Sequence, residues 1–217
     1  MARTLLEEIY DRLLLLWLIY DAMNYKFFGE TKVQKLTFLA EWEMLDKREK
    51  GFNYNFIKLT FGPYSKDLEK DIKWLEDSNF VKIVPVDEKT RIFKPTELGQ
   101  KILATFHDAF DRNRIFIEKI AEINRKFASL TLDELLKFVY GLPHPYMKGK
   151  PRTIGELKPG TILLYRIDPK KARVSFYLTP QELATLDIYL DKKCYHSLMD
   201  ACESAKRKRL LTFNEVF

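Results

Sequence analysis

An unbroken apolar run, Leu13–Tyr20, lies between Asp11-Arg12 and Asp21. A membrane span needs roughly 20 apolar residues. This run is much shorter and has charges on both sides, so it predicts a helix buried all round, at the centre of a domain. It also lies too far from a charged start, and lacks a small-residue cleavage site, to read as a signal peptide. Leu5, Leu6, Ile9, Leu13 and Leu16 keep helical spacing, so the first 23 residues read as one helix. The chain has 217 residues, 46% of them hydrophobic, enough for one large core or two small ones.

Further helices are expected at Thr31 to about Lys47, on a Val33-Leu36-Leu39-Ala40 face, and at Ser65 to Ser78 after the Gly62-Pro63 turn. Between them, Phe52, Tyr54 and Phe56 alternate with polar residues as in a half-buried strand. "FVKIVPVDEKTRIFKPT" predicts a hairpin with its tip at Asp87-Glu88-Lys89-Thr90. Helical pattern then runs from Thr96 to about Phe127. Thr131 and Glu134 form a capping box opening a helix that ends at Gly141.

Residues 141–160 hold four prolines and four glycines, a density that predicts a linker or irregular crossing. A strand "TILLYRI", the turn Asp168-Pro169 and a second strand alternating Val174, Phe176 and Leu178 come next. Thr179-Pro180-Gln181-Glu182 combines three helix-start signals. Leu183, Leu186 and Leu190 give the following helix its apolar side. After a break at about Lys192 to Tyr195, Leu198, Ala201, Cys202 and Ala205 repeat on a last helix. That helix ends in Lys206-Arg207-Lys208-Arg209, which suits the negative end of a helix dipole. The expected fold class is α+β and mainly helical. The expected divisions are a domain at 1–140, a basic linker at 141–160 and a strand-helix-helix unit at 161–217.

Charge is unevenly placed. Residues 1–140 balance, as do residues 174–217, whereas residues 141–173 carry eight basic side chains against Glu156 and Asp168. This one stretch holds the whole net charge of +6. A focused basic segment steers polyanions, and a solvated lysine-rich linker has the same composition.

The Ser65 helix raises the question of DNA reading directly. Leu68, Ile72 and Leu75 form its core face, and Lys66, Lys70 and Lys73 form a stripe opposite. Glu69 and Glu76 are expected along one side of the stripe, Asp67 and Asp71 along the other. Those carboxylates oppose phosphate contacts, and Glu69–Lys73 has the favourable i,i+4 order for a solvent-facing ion pair. No outward Arg, Asn or Gln offers a bidentate base contact.

Enzyme chemistry finds no footing in the residues. His107, His144 and His196 are scattered, and Cys194 with Cys202 lacks a metal-site spacing. There is no phosphate-cradling glycine loop and no hydrolase or metalloprotease motif. A non-enzyme with no cofactor and no metal is expected. Two cysteines without a disulfide framework point to a reducing, cytoplasmic setting.

Three helices, a hairpin and a closing helix, with "LEKDIKWLEDSNFVKI" before "KTRIFKPTELGQKIL", resemble a winged helix. "TKVQKLTFLAEWEM", "FGPYSKDLEKDI" and "LLKFVYGLP" look like the Panacea-type family of antitoxins and phage-associated proteins, which is marked by a lysine-hydrophobic helix and a Gly-Pro turn. Neither resemblance brings a catalytic residue. "ARVSFYLTPQELATLDIYLDKKCYHSLMDACESAKRKRLL" resembles a ribbon-helix-helix DNA-binding domain, in which two chains pair strands into a ribbon for the major groove.

That last resemblance implies base-facing roles for Arg173, Ser175 and Tyr177, and a dimer core of Val174, Phe176 and Leu178. It implies phosphate contacts near Tyr195, His196 and Ser197, with Lys170 and Lys171 beside the ribbon. The segment departs from the pattern in lacking a glycine between its helices and in placing Tyr177 where a longer polar side chain is usual. Its strand has two candidate partners, a second copy of itself or "TILLYRI". The resulting expectation is a DNA-binding regulator of the antitoxin or repressor type, acting as a homodimer. The alternative is a protein-interaction module that binds a partner such as a toxin without DNA. Neither reading involves a membrane.

Overall fold

The computed structural model describes residues 2–25, 29–85, 91–146, 152–190 and 192–207. The fold is α+β and mainly helical. It divides into two compact units, Met1–Tyr177 and Leu178–Phe217. Among the described residues no helix is long and apolar enough to cross a membrane.

Helix α1 (Leu5–Ala22) is the spine of the first unit. It starts on a capping box: Thr4 Oγ1 accepts from the Glu7 amide, and the Glu7 carboxylate accepts from the Thr4 amide. Leu13 to Leu16, Leu18 and Ile19 are buried, as the apolar run predicts, while Tyr20 at its end is exposed. Around α1 pack α2 (Glu30–Asp46), α3 (Lys66–Asp77), α4 (Glu97–Thr105) and α6 (Arg114–Phe127). Every residue from Lys32 to Glu41 of α2 is buried, including two lysines and a glutamate.

Strand β1 (Glu49–Lys50) follows α2. Strands β2 (Phe56–Leu59) and β3 (Gly62–Tyr64) then form a tight antiparallel pair with Ile57 opposite Tyr64 and Leu59 opposite Gly62. Ser65 caps α3, and Leu68, Ile72 and Leu75 face inward as expected. β4 (Val81–Pro85) and β5 (Arg91–Pro95) are the arms of the predicted hairpin. Its tip, with Val86, lies outside the described residues.

The helical stretch expected from Thr96 to Phe127 is three helices: α4, α5 (His107–Arg112) and α6. Asn113 explains the second break. Its side chain donates to Ala109 O at 2.8 Å and also binds the Tyr177 backbone 64 residues downstream. α7 (Leu132–Gly141) carries the predicted Thr131–Glu134 capping box with both bonds formed.

After α7 the chain folds back against it. Ile154 N donates to Leu142 O at 2.8 Å and His144 N to Arg152 O at 2.9 Å. Ile154 is fully buried. This stretch is therefore tied into the first unit, whereas the proline and glycine content alone reads as a linker. β6 (Ile162–Leu164) joins β2 antiparallel, giving the sheet order β3-β2-β6.

β7 (Val174–Ser175) does not pair with the "TILLYRI" strand, the partner expected within the chain. It runs parallel to β1, with Glu49 opposite Val174 and Lys50 opposite Ser175. Arg173 N donates to Arg48 O at 2.8 Å and Phe176 N to Lys50 O at 2.9 Å. The chain thus divides after Tyr177, later than the boundaries at 140 and 160 that composition suggests, because both downstream strands pair with the first unit.

The second unit consists of two consecutive helices, α8 (Pro180–Leu190) and α9 (Lys192–Arg207). Thr179 and Glu182 cap α8 reciprocally, as the sequence predicts. α9 begins three residues before the end of the expected break. Leu178 and Leu186 are buried in this unit.

Candidate functional site

The α3 stripe is present: Lys66, Lys70 and Lys73 are all exposed. Its surroundings differ from expectation. Asp71 is completely buried, so it does not flank the stripe. Glu69 accepts the Tyr64 hydroxyl, and Lys70 pairs with Asp67 at 3.1 Å.

The segment resembling a ribbon is engaged within the chain. Arg173 pairs with the buried carboxylate of Glu49 at 2.8 Å, although its own side chain is 64% exposed. Ser175 sits in the β1–β7 ladder. Tyr177 exposes its ring, while its backbone N–H and C=O are both held by the Asn113 amide, at 3.1 and 2.8 Å. Phe176 is buried against Tyr10 and Phe116, with centroids 5.4 and 6.0 Å apart. Phe176 therefore faces the chain's own core, where the resemblance implies a dimer core. Lys170 and Lys171 are exposed on a short helical turn that Asp168 caps. Ser197 is exposed. Lys148, Lys150, Lys208 and Arg209, and the side chains of Tyr195, His196, Lys206 and Arg207, lie outside the described residues.

A buried polar cluster, not anticipated from sequence, joins α1 to α3. One Arg3 nitrogen lies 2.6 Å from both Asp11 and Asp71. Asp71 also accepts from Arg12 Nε at 3.0 Å and from the Tyr54 hydroxyl at 2.9 Å, and Asp11 from the Asn53 amide at 2.7 Å. Burial pushes the Asp11 carboxyl up to about 7 despite Arg3. Glu41, in the adjoining core, is driven well above the usual range by burial and then by Asp11; neither of its oxygens has a hydrogen bond of good geometry. The only sequence signal was positional: Asp11 falls on the same helical face as Leu14, Leu15 and Leu18.

The Gly-Pro turn brings α2, β3 and α7 together. Lys35, 3% exposed, donates Nζ to Pro63 O at 2.7 Å. Its neighbour Gln34 donates to Ser65 O at 3.1 Å and accepts from Ser65 N at 2.9 Å. Gly62 has φ +82°, a left-handed conformation that side chains resist, and is flanked by Tyr140, Leu136 and the Lys35 stem. Tyr140 donates its hydroxyl to Thr60 O at 2.8 Å. These bonds bring the lysine helix and the Gly-Pro turn, 28 residues apart in sequence, into one structure.

Beside this junction lies a cavity of about 350 Å³ lined by Glu30, Thr31, Gln34, Lys35, the Leu59–Gly62 turn and Tyr64. Phe61 is 66% exposed at the tip of the turn, and Leu59 37%. Burial lowers the Lys35 amine to about 8, and among the described residues it forms no ion pair. Burial, and then the Glu69 charge, raises the Glu30 carboxyl.

Both edges of the nearby sheet are covered by side chains. Lys35 and Gln34 take backbone groups at Pro63 and Ser65 beside β3. His144 Nε2 bonds Ile162 O at 2.8 Å, and the Tyr146 hydroxyl accepts from Tyr165 N at 3.1 Å beyond β6. Such covering guards against strand addition.

A second cleft, of about 640 Å³, is lined by Lys47, Glu49, Ile115, Glu118, Lys119, Glu122 and Arg173. Most of its charges are paired: Lys119 with Glu122 at 3.0 Å and Arg173 with Glu49 within the cleft, and Glu118 with Arg114 outside it at 2.6 Å. Among the described residues no group of three His, Cys, Asp or Glu is arranged to hold a metal ion. Comparison with protein-family models, with curated proteins and with solved structures finds no match.

Proposed function

We propose that this chain is a non-enzymatic regulatory protein of the antitoxin or adaptor kind, and that its first unit binds a partner protein through the Gly62-Pro63 turn. The observation that carries this reading is Phe61. A large aromatic ring stands in solvent on a turn fixed from behind by Lys35, Gln34 and Tyr140. An exposed aromatic on a rigid support loses little conformational entropy when it is covered, as at protein-interface hot spots. The order α1–α2–α3–β4–β5–α4 supports a winged-helix-like scaffold, and the joined lysine helix and Gly-Pro turn support the Panacea-like resemblance. A reducing, cytoplasmic setting without cofactor goes with this reading.

DNA binding is the second reading, favoured by one observation. With Asp71 drawn into the core, the α3 lysines have fewer acids beside them than the sequence implies. Arg173 and Tyr177 keep exposed side chains on this strand, while Ser175 is engaged in the pairing with β1.

Affinity capture of the tagged chain separates the readings. Phe61→Asp should abolish a stoichiometric protein partner, and Arg173→Ala/Lys170→Ala/Lys171→Ala should retain it. Retention by Phe61→Asp contradicts the protein-binding reading at this turn. Duplex DNA titrated across a salt series tests the second reading: a slope reduced by Lys66→Ala/Lys70→Ala/Lys73→Ala places phosphate contacts on α3. A slope reduced only by the 170–173 variant places them on the strand.

A further inference from the structure

Three buried lysines among the described residues, Lys32, Lys35 and Lys58, donate to backbone carbonyls, and of these Lys35 lines the cavity at the turn. Arg3 has Asp11 and Asp71, and Lys50 has Glu7 at 3.0 Å. Lys35 has a single carbonyl, Pro63 O, and lines an open cavity. A buried charge is ordinarily paired, because withdrawing it from water is costly. An ammonium carries three donors, and one bond to a carbonyl leaves its charge uncompensated. The Gln34 amide beside it is bound on both its oxygen and its nitrogen by Ser65, so it offers a ligand little. The Tyr64 hydroxyl is given to Glu69. The polar demand of the cavity therefore converges on Lys35, while Leu59 and Phe61 at the rim present apolar surface.

We propose that this cavity receives a carboxylate carried next to an apolar group, supplied by an acidic segment of a partner protein. The carboxylate pairs with Lys35 and the apolar neighbour covers Phe61 and Leu59. This inference rests on the protein-binding reading above and specifies the partner's chemistry. Charge complementarity commits the site to an anion. Glu30 lines the same cavity and opposes that charge, but burial and Glu69 make its carboxyl readier to take a proton as an anion enters. Lys58, also buried, already donates to Gly155 O and Leu157 O and lies 5.7 Å from the Tyr140 ring, so it adds positive potential behind the turn.

The test uses the full chain, isotopically labelled, titrated with 3-phenylpropionate and separately with 3-phenylpropionamide. The pair differs in charge and shares the apolar group. The expected result is a saturable shift of the Thr31, Gly62 and Tyr64 amide resonances, with the acid bound about tenfold more tightly than the amide, as a charge-assisted pair requires. Phe61→Ser, at an exposed position, should weaken both probes alike. Lys35→Met should erase the difference between them. Equal binding of acid and amide to the wild type overturns the proposal, as does the absence of saturable shifts at those residues, and neither depends on a variant that folds. If acid and amide bind alike while Phe61→Asp still loses the captured protein, the carboxylate inference fails and the protein-binding reading stands.

Discussion

Arg3 and Asp71 meet at 2.6 Å with side chains 5% and 0% exposed, joining the residues before α1 to the inner face of α3. The contact explains why an acid within the α3 sequence is absent from its surface. It also buries the Arg3 side chain although Ala2 and Thr4 beside it are exposed. Removing one partner of a buried pair leaves the other charged and unpaired, which costs about 3–5 kcal/mol. Arg3→Ala and Asp71→Asn should each lower stability by that order, measured by urea denaturation, and the double variant should lose less than the sum.

Glu41 and Asp11 predict an unusual pH dependence. Both carboxyls are raised in the folded state, so the fold holds protons that the unfolded chain releases. Their stabilising contribution is complete below the unfolded carboxyl range near 4. It drains as pH rises through the folded values, about 7 for Asp11. Wild-type stability should therefore fall between pH 5 and 8. Glu41→Gln, which is neutral throughout, should flatten that slope and be the more stable protein at pH 8 in thermal melts. A wild-type stability that rises over this window would contradict the assignment.

Asn113 holds the strand end by its backbone. Asn113→Ala removes the side-chain partner of both the Tyr177 N–H and C=O, and of Ala109 O. Unsatisfied buried groups cost about 1–3 kcal/mol. Beyond that loss, hydrogen exchange should accelerate at the Phe176 and Tyr177 amides while the centre of α1 stays protected.

Gly62 is fixed by its φ of +82° more than by crowding, since a Cβ there would meet Tyr140 and Lys35 at ordinary contact distances. Gly62→Ala should cost about 1–2 kcal/mol from the left-handed conformation. The same change should weaken partner capture, because the turn that presents Phe61 must relax.

Local signals in the sequence carried well into three dimensions. The Thr131–Glu134 and Thr179–Glu182 caps formed, and Leu68, Ile72 and Leu75 face inward, since each depends on residues three or four apart. What was hidden depends on distant partners. The break before α6 needs Tyr177 to occupy Asn113, and the strand at Val174 needs Glu49, 125 residues earlier, as its pairing partner. Asp71 lies among alternating charges that read as a solvent face until Arg3 arrives from the chain start. At the candidate site, the lysine helix and Gly-Pro turn were both visible, but the 2.7 Å bond that makes them one site was not.

The most direct test places a benzophenone photocrosslinker at position 61, and separately at position 173, of the full chain in its native cells. The account predicts a discrete protein adduct from position 61 that is absent from position 173. An adduct confined to position 173, or nucleic acid in place of protein at position 61, would contradict it.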